Sequence, residues 1–266
     1  SLWTTEFNAN TVIEHYQTGR AGNQLTANSS CKLYLKADST YGDTTFVDVS
    51  SSAHTITNVG GVYHHIDDNR TANTALYFDG ASKLEMPWSS AIDFANASTD
   101  WTFECWVKYT GTATECALLS WGQDSSNAFM LSINTTTKLW IFQTVGGSTT
   151  INNTTATGDL PSNVWNHVAF VWDGKNDFCY IFVNGVCVAR ATDSNMSDDQ
   201  MSYMSSGESI GIGYREQGST ADSYFFKGFM DGIRITDGMP RYTSGIPVDG
   251  QSPHKRYDDG RSSNVS

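Results

Sequence analysis

From Cys31 onward, short stretches rich in β-branched and aromatic residues recur about every ten residues, with Gly, Asn and Asp between them. No stretch has the periodicity of a long amphipathic helix. Asn184-Gly185 divides "CYIFVNGVCVAR" and has the chemistry of a two-residue type I′ hairpin turn. The pattern predicts an all-β protein, a sandwich or a barrel of antiparallel strands. The strand signals include "CKLYLKA", "TALYFDG", "DWTFECWVKYT", "ALLSWG", "AFMLSIN", "KLWIFQTV", "WNHVAFVWDG", "SIGIGYR" and "GFMDGIRIT".

Composition divides the chain into three parts and excludes some partners. We expect one domain over residues 31–248, preceded by an extended arm (1–30) and followed by a polar tail (249–266). The formal net charge of −12 argues against nucleic acid as a partner. No apolar run approaches the roughly 20 residues of a membrane span, so we expect no membrane insertion. No signal-peptide pattern is visible at the start, although a removed one would leave no trace.

The five cysteines of the chain predict neither a zinc site nor a redox site. Their number is odd, and no C-x-x-C spacing occurs. Cys105 and Cys179 lie among apolar strand residues, as small buried hydrophobic side chains do. We therefore expect reduced thiols and a reducing compartment.

An aspartate interrupts the apolar pattern of "GFMDGIRITD". Read with a period of two, Phe229, Asp231, Ile233 and Ile235 share one face, which the apolar residues assign to the core. A buried carboxylate without a partner costs several kcal/mol or more. Asp231 therefore needs a cationic side chain, a set of backbone N–H groups or a metal ion, and the pattern alone leaves these three open.

The sequence carries no motif of a glycan-cleaving or ester-cleaving enzyme. None of its glutamates is followed two residues later by Asp, as the Glu-x-Asp-x-x-Glu motif of retaining glycosidases of the laminarinase type requires. The Gly-x-Ser-x-Gly at 207–211 continues as a strand, whereas a nucleophile elbow needs a helix there. His167 is expected to be a packed histidine, and His64 and His65 are expected in a loop. We predict that the protein is not an enzyme.

Six motifs follow one another in an order that resembles a known family. The chain is similar over residues 31–248 to the laminin-G-like, concanavalin A-like jelly-roll domains that recur in bacteriophage virion proteins. The resemblance implies a two-sheet antiparallel jelly-roll β-sandwich that binds carbohydrate. The motifs are "LYLKADSTYGDTTFVDVSSSAHTIT" (33–57), "ALYFDGASKLEMP" (75–87), "DWTFECWVK" (100–108), "WNHVAFVWDG" (165–174), "IFVNGV" (181–186) and "FMDGIRITDGMPRYTSG" (229–245).

The same resemblance implies a calcium ion near the edge of the sandwich. Its carboxylate ligands would be Asp38, after the first strand, Asp48, which opens the "DVSSSAH" loop, and the strand residue Asp231. Carbonyl groups near Ser51 and His54 would complete the six to eight oxygens that calcium takes. Ser52-Ala53 replaces the Gly-Asn pair of the family loop, which removes one amide ligand.

Aromatic side chains near strand ends are the candidates for stacking on sugar rings. We expect this role for Trp88, Trp121, Trp140, Tyr203 and Tyr214, although burial in the core is the alternative for each. The other tryptophans considered are expected in the core or on a sheet face, namely Trp101, Trp106, Trp165 and Trp172.

The resemblance implies a non-enzymatic virion protein, on a fibre, tail or capsid surface, assembled in the bacterial host cytoplasm. Its partners would be host-surface glycan, other virion proteins and its own copies, as a homotrimer, with the arm as the attachment segment. One alternative is a purely structural capsid or decoration protein without glycan affinity. Another is a secreted bacterial lectin or adhesin. A solvent-facing groove with clustered aromatic residues would favour binding over the structural role.

Overall fold

The computed structural model describes residues 30–66, 69–70, 73–89, 92, 100–112, 115–122, 128–134, 138–145, 148–155, 158–174, 178–192, 208–215 and 223–237. These residues form strands and connections and contain no helix. None of them therefore belongs to a helix long and apolar enough to cross a membrane. The predicted arm, except Ser30, and the predicted tail lie outside the described residues.

The strands form two antiparallel sheets, of eight and seven strands. The eight-stranded sheet has the order β13-β12-β11-β6-β15-β4-β3, and β1 also pairs with β15. The seven-stranded sheet has the order β10-β9-β8-β7-β14-β5-β2. The prediction of a two-sheet antiparallel jelly-roll sandwich is therefore confirmed. The strands are β1 Cys31–Leu35, β2 Thr57–Val59, β3 Tyr63–His65, β4 Ala75–Asp79, β5 Lys83–Pro87, β6 Trp101–Tyr109, β7 Glu115–Trp121, β8 Ala128–Asn134, β9 Leu139–Val145, β10 Ser148–Thr154, β11 Asn166–Asp173, β12 Phe178–Val183, β13 Val186–Thr192, β14 Ser209–Ile212 and β15 Lys227–Asp237.

Large aromatic side chains fill the space between the two sheets. Trp101 of β6 and Phe170 of β11 reach in from the eight-stranded sheet, and their rings are 4.8 Å apart. Trp121 and Phe129 of the other sheet stack with their centroids 3.9 Å apart. All four side chains are buried. Burying these rings stabilises the contact between the two sheets, so the aromatic residues of β6, β7, β8 and β11 hold the two layers together.

The hairpin between β12 and β13 turns at the predicted dipeptide. Asn184 and Gly185 have φ angles of +52° and +80°, as a type I′ turn requires. The Asn184 side chain also accepts a hydrogen bond from the His167 amide at 2.9 Å and donates one to Asn166 Oδ1 at 3.0 Å. The turn residue thus also fixes the start of β11.

The predicted core face of the last strand is confirmed for Ile233 and Ile235 and wrong for Phe229 and Asp231, which lie on the outer face. Gly232 has a φ of +59° and lies in a bulge, where the pairing with β6 shifts between Asp231 and Arg234. A bulge inserts one extra residue and breaks the two-residue alternation. Met230, Ile233 and Ile235 therefore enter the core between the sheets. Asp231 pairs instead with Trp106, whose ring contacts His167 and Arg70.

The loop expected around His64 and His65 is strand β3, at the end of the strand order of the eight-stranded sheet. Tyr63 pairs with Tyr77 and His64 with Leu76 of β4. Its backbone also bonds to the loop that follows β1, because the His64 amide donates to the Asp43 carbonyl at 2.8 Å and the His64 carbonyl accepts from the Gly42 amide at 2.8 Å. This short strand has one residue toward the core and two toward the outer face of the sheet.

Candidate functional site

The outer face of the eight-stranded sheet carries a row of aromatic residues at the β3 end. Tyr63 of β3, Tyr77 of β4 and Phe229 of β15 are cross-strand neighbours. Leu76 and Met230, which alternate with them, belong to the core. Since side chains alternate along a strand, the aromatic row points away from the core.

The rings form one connected group. Tyr77 lies 5.3 Å from Tyr63 and 5.1 Å from Phe229, measured between ring centroids. His65 lies 5.4 Å from Phe229 and 5.4 Å from Tyr41. These separations are those of interacting aromatic pairs. With Trp165, whose ring lies 6.4 Å from Phe229, the six residues are called the aromatic platform below.

The platform is open to solvent. Tyr41 is 59% exposed, and the other five side chains are half-buried. The Lys108 Nζ lies 5.7 Å from the centroid of the Phe229 ring and adds a cation beside it. Exposed aromatic residues grouped in this way mark a binding surface more often than a passive one. Such rings can stack on the apolar face of a sugar, while the tyrosine hydroxyls can hydrogen-bond to it.

A different set of side chains occupies the same outer face farther along β15. It comprises Glu104 and Trp106 of β6, His167 of β11, and Asp231 and Arg234 of β15, and it is called the buried polar cluster below. Their residues are at most 2% exposed. Glu104 Oε1 lies 4.0 Å from Arg234 Nε, and Glu104 Oε2 lies 3.5 Å from His167 Nε2. Because these side chains are buried, the cluster presents no surface to a saccharide, and its contacts connect three strands of the sheet.

The three carboxylates predicted to bind calcium have protein partners. Asp48 accepts four hydrogen bonds, from the Tyr34, Ser50 and His54 amides and from the Ser50 hydroxyl. Asp231 Oδ2 accepts the Arg70 amide at 2.7 Å. The exposed Asp38 accepts the Asn73 side-chain amide at 2.6 Å. Backbone N–H groups, one of the three partners considered for Asp231, are thus present at this residue.

The three predicted carboxylates are not grouped with one another in the described part of the chain. Within the described part of the chain, no three His, Cys, Asp or Glu side chains are grouped to hold a metal. The Asp48 oxygens already accept protein donors, and the His54 amide donates to Asp48. Ser51 is exposed in the same loop. Calcium stays a prediction of the sequence resemblance, while the hydrogen bonds to Asp48 and Asp231 favour protein donors as their partners. No step of the proposed function depends on the ion.

The aromatic residues predicted to bind carbohydrate do not form one surface. Trp121 and Tyr214 are buried, so the structure contradicts a surface role for them. Trp121 packs in the core, and the Tyr214 hydroxyl donates to Glu85 at 3.0 Å. Trp88 is 37% exposed but follows β5 of the other sheet. The Trp140 side chain and all of Tyr203 lie outside the described residues.

The platform was not predicted from the sequence, because the segment with the two histidines was interpreted as a loop and the direction of the β4 side chains was not assigned. "VYHHI" and "ALYFD" are short, and the histidines suggested a loop. One signal was available in the sequence. Tyr63 and His65 alternate along one strand and Tyr77 pairs with that strand, at solvent-facing positions where polar residues are usual. Of the four tryptophans expected in the core or on a sheet face, Trp165 is the half-buried one.

The cysteines have no chemical role in the site. All five are buried and have free thiols. Burial raises the pKa of the Cys105 and Cys116 thiols far above the ordinary range, and it raises the pKa of Cys187 to about 11. Protonated, buried thiols are poor nucleophiles and poor metal ligands.

The chain resembles known proteins in sequence and in fold. Residues 87–239 match the family model of the concanavalin A-like lectin/glucanases superfamily. No curated protein sequence matches the chain significantly.

Three solved structures with the same fold illustrate the similarity. Domain 4 of the extracellular arabinanase AbnA from Geobacillus stearothermophilus, in complex with arabinotriose, has a TM-score of 0.55 and 19% identity over 79% of this chain and 93% of its own. The CBM40 of the Ruminococcus gnavus IT-sialidase, bound to α2,3-sialyllactose, has a TM-score of 0.52 and 18% identity. The match covers 61% of this chain and 88% of the CBM40 chain. Botulinum neurotoxin type C, whose cell entry depends on interaction with two ganglioside molecules, has a TM-score of 0.57 and 15% identity. The match covers 78% of this chain and 48% of the neurotoxin chain.

Proposed function

The chain belongs to the concanavalin A-like lectin/glucanases superfamily, and we propose that it is a non-enzymatic protein that binds carbohydrate on its aromatic platform. One observation carries this proposal: six aromatic rings form a continuous, solvent-open group on the outer face of the eight-stranded sheet. Two proteins with this fold hold arabinotriose and sialyllactose, which agrees with a sugar ligand.

The width of the platform favours an oligosaccharide over a single sugar. Tyr63, Tyr77 and Phe229 lie on three adjacent strands, which are about 4.8 Å apart each. The rings thus extend on the order of 10 Å across the sheet. A linear glycan that crosses the strands would contact several rings, and their small stacking energies would add.

The proposal assigns no catalytic step to the chain. The acidic residues nearest in kind to a catalytic carboxylate, Glu104 and Asp231, are buried and bound to protein groups. A glycosidase needs two carboxyl groups that flank the scissile bond of a bound substrate. Neither of these two can reach a sugar on the platform surface as the sheet is built.

We also propose the biological setting that the sequence motifs imply: a bacteriophage virion surface, where the protein would recognise host glycan. The five free, buried thiols agree with assembly in a reducing cytoplasm. Other virion proteins and further copies of the chain, as a homotrimer, would be its neighbours, attached through the arm. In a purely structural role, the arm or a neighbouring subunit would cover the platform, whereas a glycan-binding role requires it to stay open in the assembled particle.

The test is a printed array of neutral, amino and acidic oligosaccharides probed with the full chain, followed by titration calorimetry with the best ligand. We expect Tyr77→Ala to weaken binding at least about tenfold, equal to about 1.4 kcal/mol. Trp88→Ala is the matched control, because it removes an exposed aromatic ring outside the platform, and it should leave the affinity unchanged. No binding on the array, or equal losses in both variants, would overturn the proposal.

A further inference from the structure

A pocket lies on the other side of β3, between the two arms of the loop that follows β1. The arms pair at the Leu35–Asp48 bridge and then separate. Residues 36–39 form one wall of the pocket, and Asp43 and residues 45–47 form the other. His64 and Leu76 line it as well. The pocket therefore shares β3 with the aromatic platform, which uses the opposite face of that strand.

We propose that this pocket is a second saccharide site, which takes one neutral or amino sugar ring and rejects an acidic one. The inference rests on the proposed glycan-binding function and deepens it by naming the sugar class. Its volume is about 240 Å³, just below the roughly 300–1,000 Å³ of pockets that enclose drug-sized ligands. That volume fits a single ring and not a chain of rings.

Apolar side chains form one part of the pocket. Phe46 is buried and stacks on His64, with ring centroids 5.2 Å apart and planes 14° apart. Val47 and Val49 line the pocket and are 63% and 41% exposed, which places apolar groups at its mouth. A pyranose has an apolar face that such a surface can cover, and burying it is favourable.

The polar groups of the pocket are mainly hydrogen-bond acceptors. Asp43 accepts the Ser39 hydroxyl and the Thr45 amide, and both Asp43 and Asp38 line the pocket. The hydrogen bond from Ser39 lowers the pKa of Asp43, so this carboxylate stays charged in mild acid. An acceptor-rich wall selects ligands with donors, namely sugar hydroxyl or ammonium groups.

The histidine in the pocket adds no cation that would attract an anion. Its Nδ1 lies 2.8 Å from Thr74 Oγ1, and its Nε2 lies 3.1 Å from the Thr45 carbonyl. Burial lowers the pKa of His64, which keeps the ring neutral near pH 7. Two carboxylates then oppose one lysine, Lys36, among the lining residues. A sugar carboxylate would be repelled, and this explains the expected rejection of acidic sugars.

The loop couples the pocket to the platform. Tyr41 belongs to the platform, while Asp43, two residues later, belongs to the pocket. The Gly42 amide and the Asp43 carbonyl both bond to His64 of β3 at 2.8 Å. A ligand in the pocket therefore contacts the same loop that holds the outermost platform ring.

The experiment is a methyl-labelled NMR titration of the full chain with methyl glucosaminide, methyl glucoside and methyl glucuronide. We expect shifts at Val47 and Val49, in the order glucosaminide, then glucoside, with none for glucuronide. Val59, which is exposed outside the pocket, is the internal reference and should not move. Glucuronide shifts equal to those of glucosaminide, or no shift at Val47 and Val49 with any probe, would overturn the inference.

Two variants separate this inference from the proposed function. Asp43→Asn should weaken glucosaminide binding at least about tenfold, since a charge-assisted partner is lost. Asp79→Asn is the matched control, because Asp79 also accepts an amide two residues later but lies outside the pocket, and it should bind normally. If Tyr77→Ala abolishes the monosaccharide shifts while Asp43→Asn retains them, the platform alone binds sugar and the pocket inference fails. If only Asp43→Asn abolishes them and the array shows no platform ligand, the proposed function fails instead.

Discussion

The aromatic platform and the buried polar cluster occupy one face of one sheet, yet they are built in opposite ways. Phe229 belongs to the platform, and Asp231, two residues later in the same strand, belongs to the cluster. The platform leaves apolar rings in water, whereas the cluster removes charged groups from water. The exposed rings contribute little to the free energy of folding and are available to a ligand. Burying charged groups lowers the stability of the fold unless each charge is paired, so the buried polar cluster holds its strands in one arrangement.

The largest effect is expected from breaking the cluster. Glu104→Ala should lower the free energy of unfolding by about 3–5 kcal/mol, because it removes the carboxylate that lies 4.0 Å from the buried Arg234 guanidinium. Tyr77→Ala on the platform should cost about 1–2 kcal/mol, since its ring is half-buried. Urea denaturation followed by circular dichroism measures both. Equal losses would contradict the division of the face into a structural and a binding region.

The bulge within the buried polar cluster should give a smaller effect than the loss of Glu104, of the same size as that of Tyr77→Ala. Gly232 has a φ of +59°, and a side chain in that conformation costs roughly 1–2 kcal/mol. Gly232→Ala should therefore lower the denaturation midpoint, and Gly158→Ala, at a φ of +84° in a turn with open space around it, is the control for strain alone. A Gly232→Ala loss no larger than that of the control would be accounted for by strain. No loss in Gly232→Ala would contradict the requirement for glycine at this position of the bulge.

A smaller effect is expected on the pH dependence of stability, through His64 of β3. Burial lowers the pKa of His64, while Thr45, Asp43 and Asp38 partly oppose this. The unfolded chain therefore takes up the proton at higher pH than the folded chain, and stability falls as pH drops below about 6.5. Thermal melts between pH 7.5 and 5.5 should show a shallower slope for His64→Phe. His65→Phe, one residue along β3, is the control. An unchanged slope in His64→Phe would contradict the assignment of this proton to His64.

The smallest effect is expected from calcium. Because Asp48 and Asp231 already accept protein hydrogen bonds, millimolar calcium and chelator should give the same melting temperature. A ligand bound only by the folded state must raise it. A calcium-dependent rise of several degrees that disappears in Asp231→Ala would contradict this expectation and support the calcium site implied by the sequence resemblance.

Sequence patterns predicted the sandwich and the Asn184-Gly185 turn because both depend on local rules. The outward or inward direction of side chains was harder to predict. Every residue of β11 is buried, so alternation cannot tell which face meets the other sheet. In β15 a single glycine in a bulge reverses the faces. Trp121, expected at a binding surface, lies in the core for the same reason: a strand-end tryptophan has no local sign of its direction.

The most direct test of the account is a crystal structure of the protein with the oligosaccharide that binds best on the array. The account predicts sugar rings in van der Waals contact, within about 4 Å, with Tyr77 and with Tyr63 or Phe229. It also predicts that the buried polar cluster keeps its ion pair unchanged. A sugar bound at Trp88, or anywhere on the seven-stranded sheet with the platform empty, would contradict the central claim.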